Sequence, residues 1–474
     1  MAITQEPKVK SFETRLFING KFVEASDGGK FELKSPATGE KFVEVSEATE
    51  DDTNAAVAAA KAAFPAWSEL SPADRGAYFK KLANLIRESH DELAELEALS
   101  MGRPVSAYFE SYIAAESLDH YAEAGYDALG TSSLNTPGFV NITMRQPYGV
   151  VGAIIPWNVP VLFLIGKSAP ALIAGNTVVV KSSEKAPLTS AKIATLIDKA
   201  GFPPGVINIL SGHGHISGNV MSHHMDIRVL SFTGSGRTGR IIQAAAAKSN
   251  LKNIILELGG KSPAIIFPDA NIEKAVEQTK FSMQFNTGQV CMANSRIYVH
   301  ESIAEKFIES FKKSFADLKS GDPLLPTTQQ GPQADELQYK QIHAYIEEAK
   351  KNGFFVPPTV FLETAEDAKP MKEEIFGPVV HINTFRDEDE VVAKANDTEY
   401  GLYAAVYTKD VSRALRMAKK LDSGSVGVNC TSPTGAKDMP FGGYKASGIG
   451  REGWTVSINN YLETKSVLIS VDDE

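Results

Sequence analysis

The sequence predicts an α/β protein organised around parallel sheets. Two stretches carry that prediction. From residue 150 to about 258, β-like and α-like patterns alternate, and a second alternation runs from 263 to about 428. Strands that alternate with helices imply βαβ crossovers, which lay successive strands parallel in one sheet. The length agrees: 474 residues exceed what one core holds and should divide into two or three domains.

The opening is β. Apolar runs at 15–18 and 21–23 flank Asn19-Gly20, a two-residue hairpin signal. An alanine-rich helix is expected over 52–64. Ser71-Pro72-Ala73-Asp74 then offers a cap, a proline at the first helical position and an acid in the first turn, so a helix should run toward His90, with another through Leu99. In the first alternating region strands are expected at 149–155, 177–181, 206–210, 229–232 and 254–257, with helices at 161–172, 188–200 and 239–247. The second region should hold strands at 263–267, 296–299, 379–384 and 404–407. Two segments read as projecting structure: residues 121–144, and a strand-like tail over 461–469 with no obvious local partner. Such a terminal strand often pairs with another subunit.

Composition excludes several classes. A hydrophobic fraction of 43% with 22% charge is that of an ordinary soluble enzyme. The net charge of −10 argues against nucleic acid as a partner, which would call for a basic face. Residues 146–166 carry no charge, but Pro147, Pro156 and Pro160 break any helix there, so no membrane span is expected. The start of the chain shows no secretory signal, and only two cysteines occur. A reducing, cytoplasmic setting with both thiols free is the expectation.

The chemistry centres on Cys291, in Phe285-Asn286-Thr287-Gly288-Gln289-Val290-Cys291. A lone thiol among small and polar residues is a candidate nucleophile, although a single cysteine is more often a small buried hydrophobe. Its company favours chemistry. Glu257-Leu258-Gly259-Gly260 is a carboxylate followed by glycines, which let backbone approach a site closely. Pro156-Trp157-Asn158 supplies a carboxamide. Cys430 has no such company and reads as structural. Gly234-Ser235-Gly236-Arg237-Thr238-Gly239 follows a strand and opens a helix, a place where backbone N–H groups can face a pyrophosphate. The usual fingerprint follows the first strand of its unit, with its acid on the next; here Lys181 and Glu184 stand at the end of the preceding strand instead. By composition Glu373-Glu374, before Ile375-Phe376-Gly377-Pro378, reads as a solvated helix end. His213, His215, His223 and His224 lack zinc spacing, and no metal is expected.

Together these segments, with Pro440-Phe441-Gly442-Gly443, resemble the aldehyde dehydrogenase superfamily over nearly the whole chain. The resemblance implies that family's fold: a Rossmann-like cofactor domain (1–124 and 148–259), an α/β catalytic domain (260–446) and a small β oligomerisation arm (125–147 and 459–474). It implies oxidation of a small-molecule aldehyde to an acid with NAD, NADP being the other candidate, in a homodimer or homotetramer. Cys291 matches the nucleophile, Glu257 the general base and Asn158 the oxyanion donor. Ile154, Trp157, Lys181, Glu184, Gly234, Ser235, Leu258, Glu374 and Phe376 match cofactor contacts, and Lys167 with Glu452 a proton exit path. Glu184 should favour NAD by repelling a 2′-phosphate.

Some positions depart from the family. Val159 and Gly166 stand where aromatic side chains are common, so the pocket they form with Phe285, Val290, Met292 and Phe441 should be wide and suit bulky or aromatic aldehydes. Ser182 replaces a common proline, and the chain is short between Gly353 and Phe354, so a rim strand should be missing. Two rival readings are a CoA-acylating relative, which Glu257 argues against, and a non-catalytic protein on the same fold.

Overall fold

The computed structural model describes residues 5–346 and 354–471. The predicted hairpin forms from Leu16–Ile18 and Lys21–Val23. Asn19 (φ 53°) and Gly20 (φ 73°) both adopt the left-handed conformation that a tight twisted turn demands. The alanine-rich helix is longer than expected, Glu50–Glu69. Thr49 and Asp52 close a reciprocal cap at its start. It passes through Pro65 because Trp67, donating to the Leu172 carbonyl at 3.0 Å, anchors the last turn in the core.

Five parallel strands form the centre of an eight-stranded sheet, in the order Ile207–Leu210, Thr177–Lys181, Val150–Ile154, Ile227–Thr233, Asn253–Glu257. The hairpin and Gly448–Ile449 add antiparallel edges. Alternate residues face two separate cores. Val151, Ala153, Val178 and Val180 belong to one, and Val150, Ile154, Val179 and Leu230 to the other. A period of two with every position buried is the signature of a sheet covered on both faces. Strand order reverses at Val150–Ile154, which opens a crevice beyond the carboxyl ends of this strand and Ile227–Thr233.

A second sheet, of six parallel strands, runs Thr359–Leu362, Val379–Phe385, Arg296–His300, Pro263–Ile266, Tyr403–Tyr407, Ser425–Val428. Phe307, Phe311 and Phe315 of helix Ala304–Ala316 pack one face, and Val391 and Met417 the other. The question of a missing rim strand falls largely on residues 347–353, outside the described residues.

The tail corrects the sequence reading. Leu462–Ser470 has a partner in its own chain, pairing antiparallel with Phe139–Pro147 over nine residues. A pairing across more than three hundred residues leaves no local signal. Among the described residues no helix is long and apolar enough to cross a membrane.

Candidate active site

The site lies where the two sheets meet. Strand Val150–Ile154 ends, and the chain crosses Pro156-Trp157-Asn158 before Pro160 opens helix Pro160–Ile173. That helix has no cap of its own. Its Val161 and Leu162 N–H groups donate instead to the buried Glu110 carboxylate, at 3.0 and 3.1 Å. Asn158, 5% exposed, donates its side-chain N–H to the Gln289 carbonyl at 3.1 Å.

Opposite, helix Ile272–Gln284 gives way to a tight turn carrying the thiol loop. Asn286, Thr287 and Gly288 are all left-handed, with φ of 50°, 56° and 73°. Two of them are not glycine, which costs about 1–3 kcal/mol each unless the surroundings enforce it. They do: Thr287 donates to the Gly331 carbonyl at 3.1 Å, and Gln289 to the Asn286 carbonyl at 3.0 Å. A Cβ at Gly288 would collide with the Gly377 carbonyl. The loop delivers Cys291 half-buried at the crevice.

Glu257 ends strand Asn253–Glu257. It is 3% exposed, and neither carboxylate oxygen has a hydrogen bond. The two glycines after Leu258 set the spacing. A Cβ at Gly260 would strike the Cys291 carbonyl, and one at Gly259 would lie 2.5 Å from the Glu374 carboxylate. Gly442 presses on Glu257 from the other side, where a Cβ would sit 2.8 Å from Oε1. Thiol loop and carboxylates are thus as close as bare backbone allows.

Burial, reinforced by the charge of Glu452, holds the Glu257 carboxyl well above the usual range, against the pull of Lys167 and Arg451. Burial also pushes the Cys291 thiol up, with Glu374 and Glu257 adding repulsion, while the Cys291 and Met292 N–H groups favour the thiolate. Both shifts favour the protonated form. Behind Glu257, the fully buried Lys167 donates to Glu452 at 2.7 Å and to Ser231 at 2.9 Å.

The crevice beside this centre has the features of a dinucleotide cleft. Ser235 caps helix Gly236–Lys248, accepting from Thr238 N–H at 3.3 Å. Just before it the buried Thr233 hydroxyl has no partner. Gly234 N–H is tied to the Glu257 carbonyl at 3.1 Å, and Leu258 covers Gly239. Ile154 lies buried at the end of its strand. Lys181 donates to the Ser182 carbonyl at 2.9 Å, with the Glu184 carboxylate 3.8 Å away and one-third exposed. Trp157 meets Phe376 edge-on at 5.5 Å.

The acidic pair corrects the reading from composition. Glu373 is exposed and takes a hydrogen bond from Tyr345 at 2.6 Å, but Glu374 turns inward and accepts the Gly260 N–H at 2.9 Å. The short helix Lys369–Lys372 ends just before them, so adjacent side chains point opposite ways. Burial raises Glu374 to about 7, partly offset by the Gly260 N–H and Lys261.

Around the expected pocket residues, further apolar side chains are half-buried. Helix Pro160–Ile173 is buried except for Leu162, Phe163 and Gly166, a stripe at helical spacing. A Cβ at Gly166 would have nothing within 4 Å. Val159 and Val290 are buried beside their motifs, Met292 and Phe441 half-buried, and Phe285 packs on Phe109 at 5.4 Å. Sequence reasoning gave no part to Leu162, Phe163, Arg103, Glu110 and Asn286, which the structure sets around Asn158 and its helix. The helical spacing from Gly166 could have found the first two. Cys430 is half-buried and Tyr403 lies near it. His213 pairs with Glu47 at 2.6 Å, and among the described residues no cluster of metal-binding groups occurs.

With this geometry in place, comparison with known proteins is specific. The family model for the aldehyde dehydrogenase family matches residues 22–467. The chain is 44% identical to an aldehyde dehydrogenase of Alternaria alternata, over 98% of each chain. It is 43% identical to aldehyde dehydrogenase 1A1 of Gallus gallus, over 97% of this chain and 94% of that one. Among solved structures, an NAD+ complex of an aldehyde dehydrogenase from Bacillus cereus superposes with a TM-score of 0.96 at 38% identity, covering 100% of both.

Proposed function

The chain belongs to the aldehyde dehydrogenase family, enzymes that oxidise aldehydes with a nicotinamide dinucleotide, and we propose that it does so through a covalent thioester on Cys291. In this reading residues 1–124 and 148–259 hold the cofactor, 260–446 carry the thiol, and 125–147 with 459–474 form an oligomerisation arm. The observation that supports it best is the buried, unpartnered Glu257, three residues before Gly260, whose bare backbone lies against the Cys291 carbonyl.

What supports NAD in this crevice is the helix N-terminus at Gly236, the orphaned Thr233 hydroxyl, and the carboxylates Glu184 and Glu374 as acceptors for ribose hydroxyls. The nicotinamide, when bound, accepts the hydride from the substrate carbon. Everything else falls to the chain. Cys291 gives up its proton as sulfur bonds to the aldehyde carbon and the carbonyl becomes an oxyanion. The Asn158 side-chain N–H and the Cys291 backbone N–H hold that charge, and donors fixed in advance stabilise it most. Loss of hydride leaves the thioester. Glu257, once ionised, takes a proton from water as its oxygen attacks, the carbon–sulfur bond breaks, and the acid departs. Lys167, Ser231 and Glu452 offer that proton a path outward.

The open space at Gly166 beside Val159, Leu162 and Phe163 supports bulky or aromatic aldehydes as substrates. An apolar wall discriminates by only about 1–3 kcal/mol per methylene, so breadth is expected. The test is NADH absorbance with acetaldehyde, hexanal, benzaldehyde and succinic semialdehyde. Benzaldehyde or hexanal should lead in kcat/KM, NADP should serve less well than NAD because Glu184 repels its extra phosphate, and Cys291→Ala should be inactive. Near-normal turnover by Cys291→Ala removes the covalent mechanism, and acetaldehyde or the semialdehyde coming out best removes the pocket assignment.

A further inference from the structure

We propose that Arg103 and Asn286 form a positioning clamp that sets the Asn158 carboxamide and the Cys291 loop in register for attack on the carbonyl. The inference rests on Cys291 as nucleophile and Asn158 as oxyanion donor, and goes beyond both. Arg103 follows helix His90–Met101 and its left-handed Gly102, and its side chain is fully buried. One terminal nitrogen pairs with Glu110 and, at 3.2 Å, with Glu97; the other donates to the Asn158 carbonyl. Its Nε donates to Asn286 Oδ1 at 3.4 Å.

Asn286 closes the ring. Its side-chain N–H donates to the Asn158 carbonyl at 2.9 Å and to the Gln289 carbonyl at 3.3 Å. The Gln289 carbonyl also accepts the Asn158 side-chain N–H at 3.1 Å. A carboxamide nitrogen carries two hydrogens. One is committed to Gln289, which fixes the amide and leaves the second for a substrate oxygen. The left-handed turn at Asn286 is the same turn that presents the thiol. Glu110, bound to Arg103, spends its other oxygen on the N-terminus of the helix following Asn158. One planar cation therefore joins three helices and the thiol loop, a task for a rigid fork of donors rather than a point charge.

A staple that merely holds the core would affect folding alone; a clamp must act through Asn158. The experiment is the pre-steady-state hydride burst of the full chain with NAD and its best aldehyde. It is read in Asn158→Ala, Asn286→Ala, their double variant, Arg103→Met and Arg103→Lys. Asn158→Ala alone should slow the burst by about 100- to 1000-fold. Asn286→Ala and Arg103→Met should each slow it by at least about tenfold with little change in NAD affinity, and Arg103→Lys should recover part of the loss. The double variant should be about as slow as Asn158→Ala, because residues acting as one unit are not additive. If Asn158→Ala slows the burst and the double variant multiplies the losses, the clamp falls and the donor assignment stands. If Asn158→Ala has no effect, the donor assignment falls and takes the clamp with it. Should Arg103→Met not fold, the Asn286 cycle decides alone; a native burst in folded Asn286→Ala overturns the proposal.

Discussion

Burial and neighbouring carboxylates raise both Glu257 and Cys291, yet the two are needed at different steps. If Glu257 serves the water step, Glu257→Gln should keep a burst of one NADH per active subunit and then turn over about 100-fold or more slowly, within the range of a lost general base. Rapid-mixing absorbance reads this, and loss of the burst as well would move Glu257 to activation of the thiol. Glu374 offers a test at equilibrium. Its carboxyl is raised to about 7, and only the ionised form accepts two ribose hydroxyls well. NAD should therefore bind more tightly as pH rises from 6 to 8, and the dependence should flatten in Glu374→Gln. Fluorescence titration checks it; an unchanged slope in the variant removes Glu374 from the site. The residue types at these positions were legible because each carries distinctive chemistry in a distinctive string. Composition alone could not single out Glu374, since Glu373 beside it has the same side chain and faces solvent; only the family resemblance picked it out.

At the scale of elements, helix Pro160–Ile173 sets both the proposed oxyanion donor and the proposed pocket wall. Gly166 lies inside it with empty space where a side chain would go. Helix propensity alone predicts that Gly166→Ala stabilises the protein by about 0.5–1 kcal/mol, since glycine loses more backbone entropy than alanine. Gly166→Trp should fill the pocket, lowering kcat/KM for benzaldehyde at least tenfold while acetaldehyde changes little. Chemical denaturation and the aldehyde panel read the two effects; benzaldehyde activity untouched in Gly166→Trp would place the pocket elsewhere. The parallel strands were legible because both faces are buried, so Thr177–Lys181 and its neighbours read as unbroken apolar runs between helices. What stayed hidden was anything joining distant segments. Arg103 and Glu110 lie seven residues apart, but Asn158 and Asn286 are far along the chain, and no periodicity marks a buried cation whose acceptors are two carboxylates, a carboxamide oxygen and one backbone carbonyl.

At the scale of the whole molecule the arm poses the remaining question. Phe139–Pro147 and Leu462–Ser470 pair fully with each other, and Ser132–Ser133 adds a short third strand. That leaves Leu462–Ser470 at the edge of its sheet, with no second strand beside it among the described residues. Leu129, Leu134 and Leu468 on this arm are 78%, 75% and 70% exposed, and Phe139, Met144 and Ile469 are exposed as well. A long unprotected edge with apolar side chains is an aggregation hazard unless something covers it. A second copy of the chain is the natural cover, because closed symmetric pairing buries the edge on both partners at once. We therefore expect a dimer or tetramer. Light scattering at micromolar concentration should give at least twice the 51.2 kDa of one chain. Leu468→Lys with Ile469→Lys should shift the mass toward the monomer, since two charges at the edge oppose strand addition without touching either large sheet. A native chain that scatters as a monomer ends this reading. A charged variant that keeps the native mass shifts the contact away from the tail and onto another face.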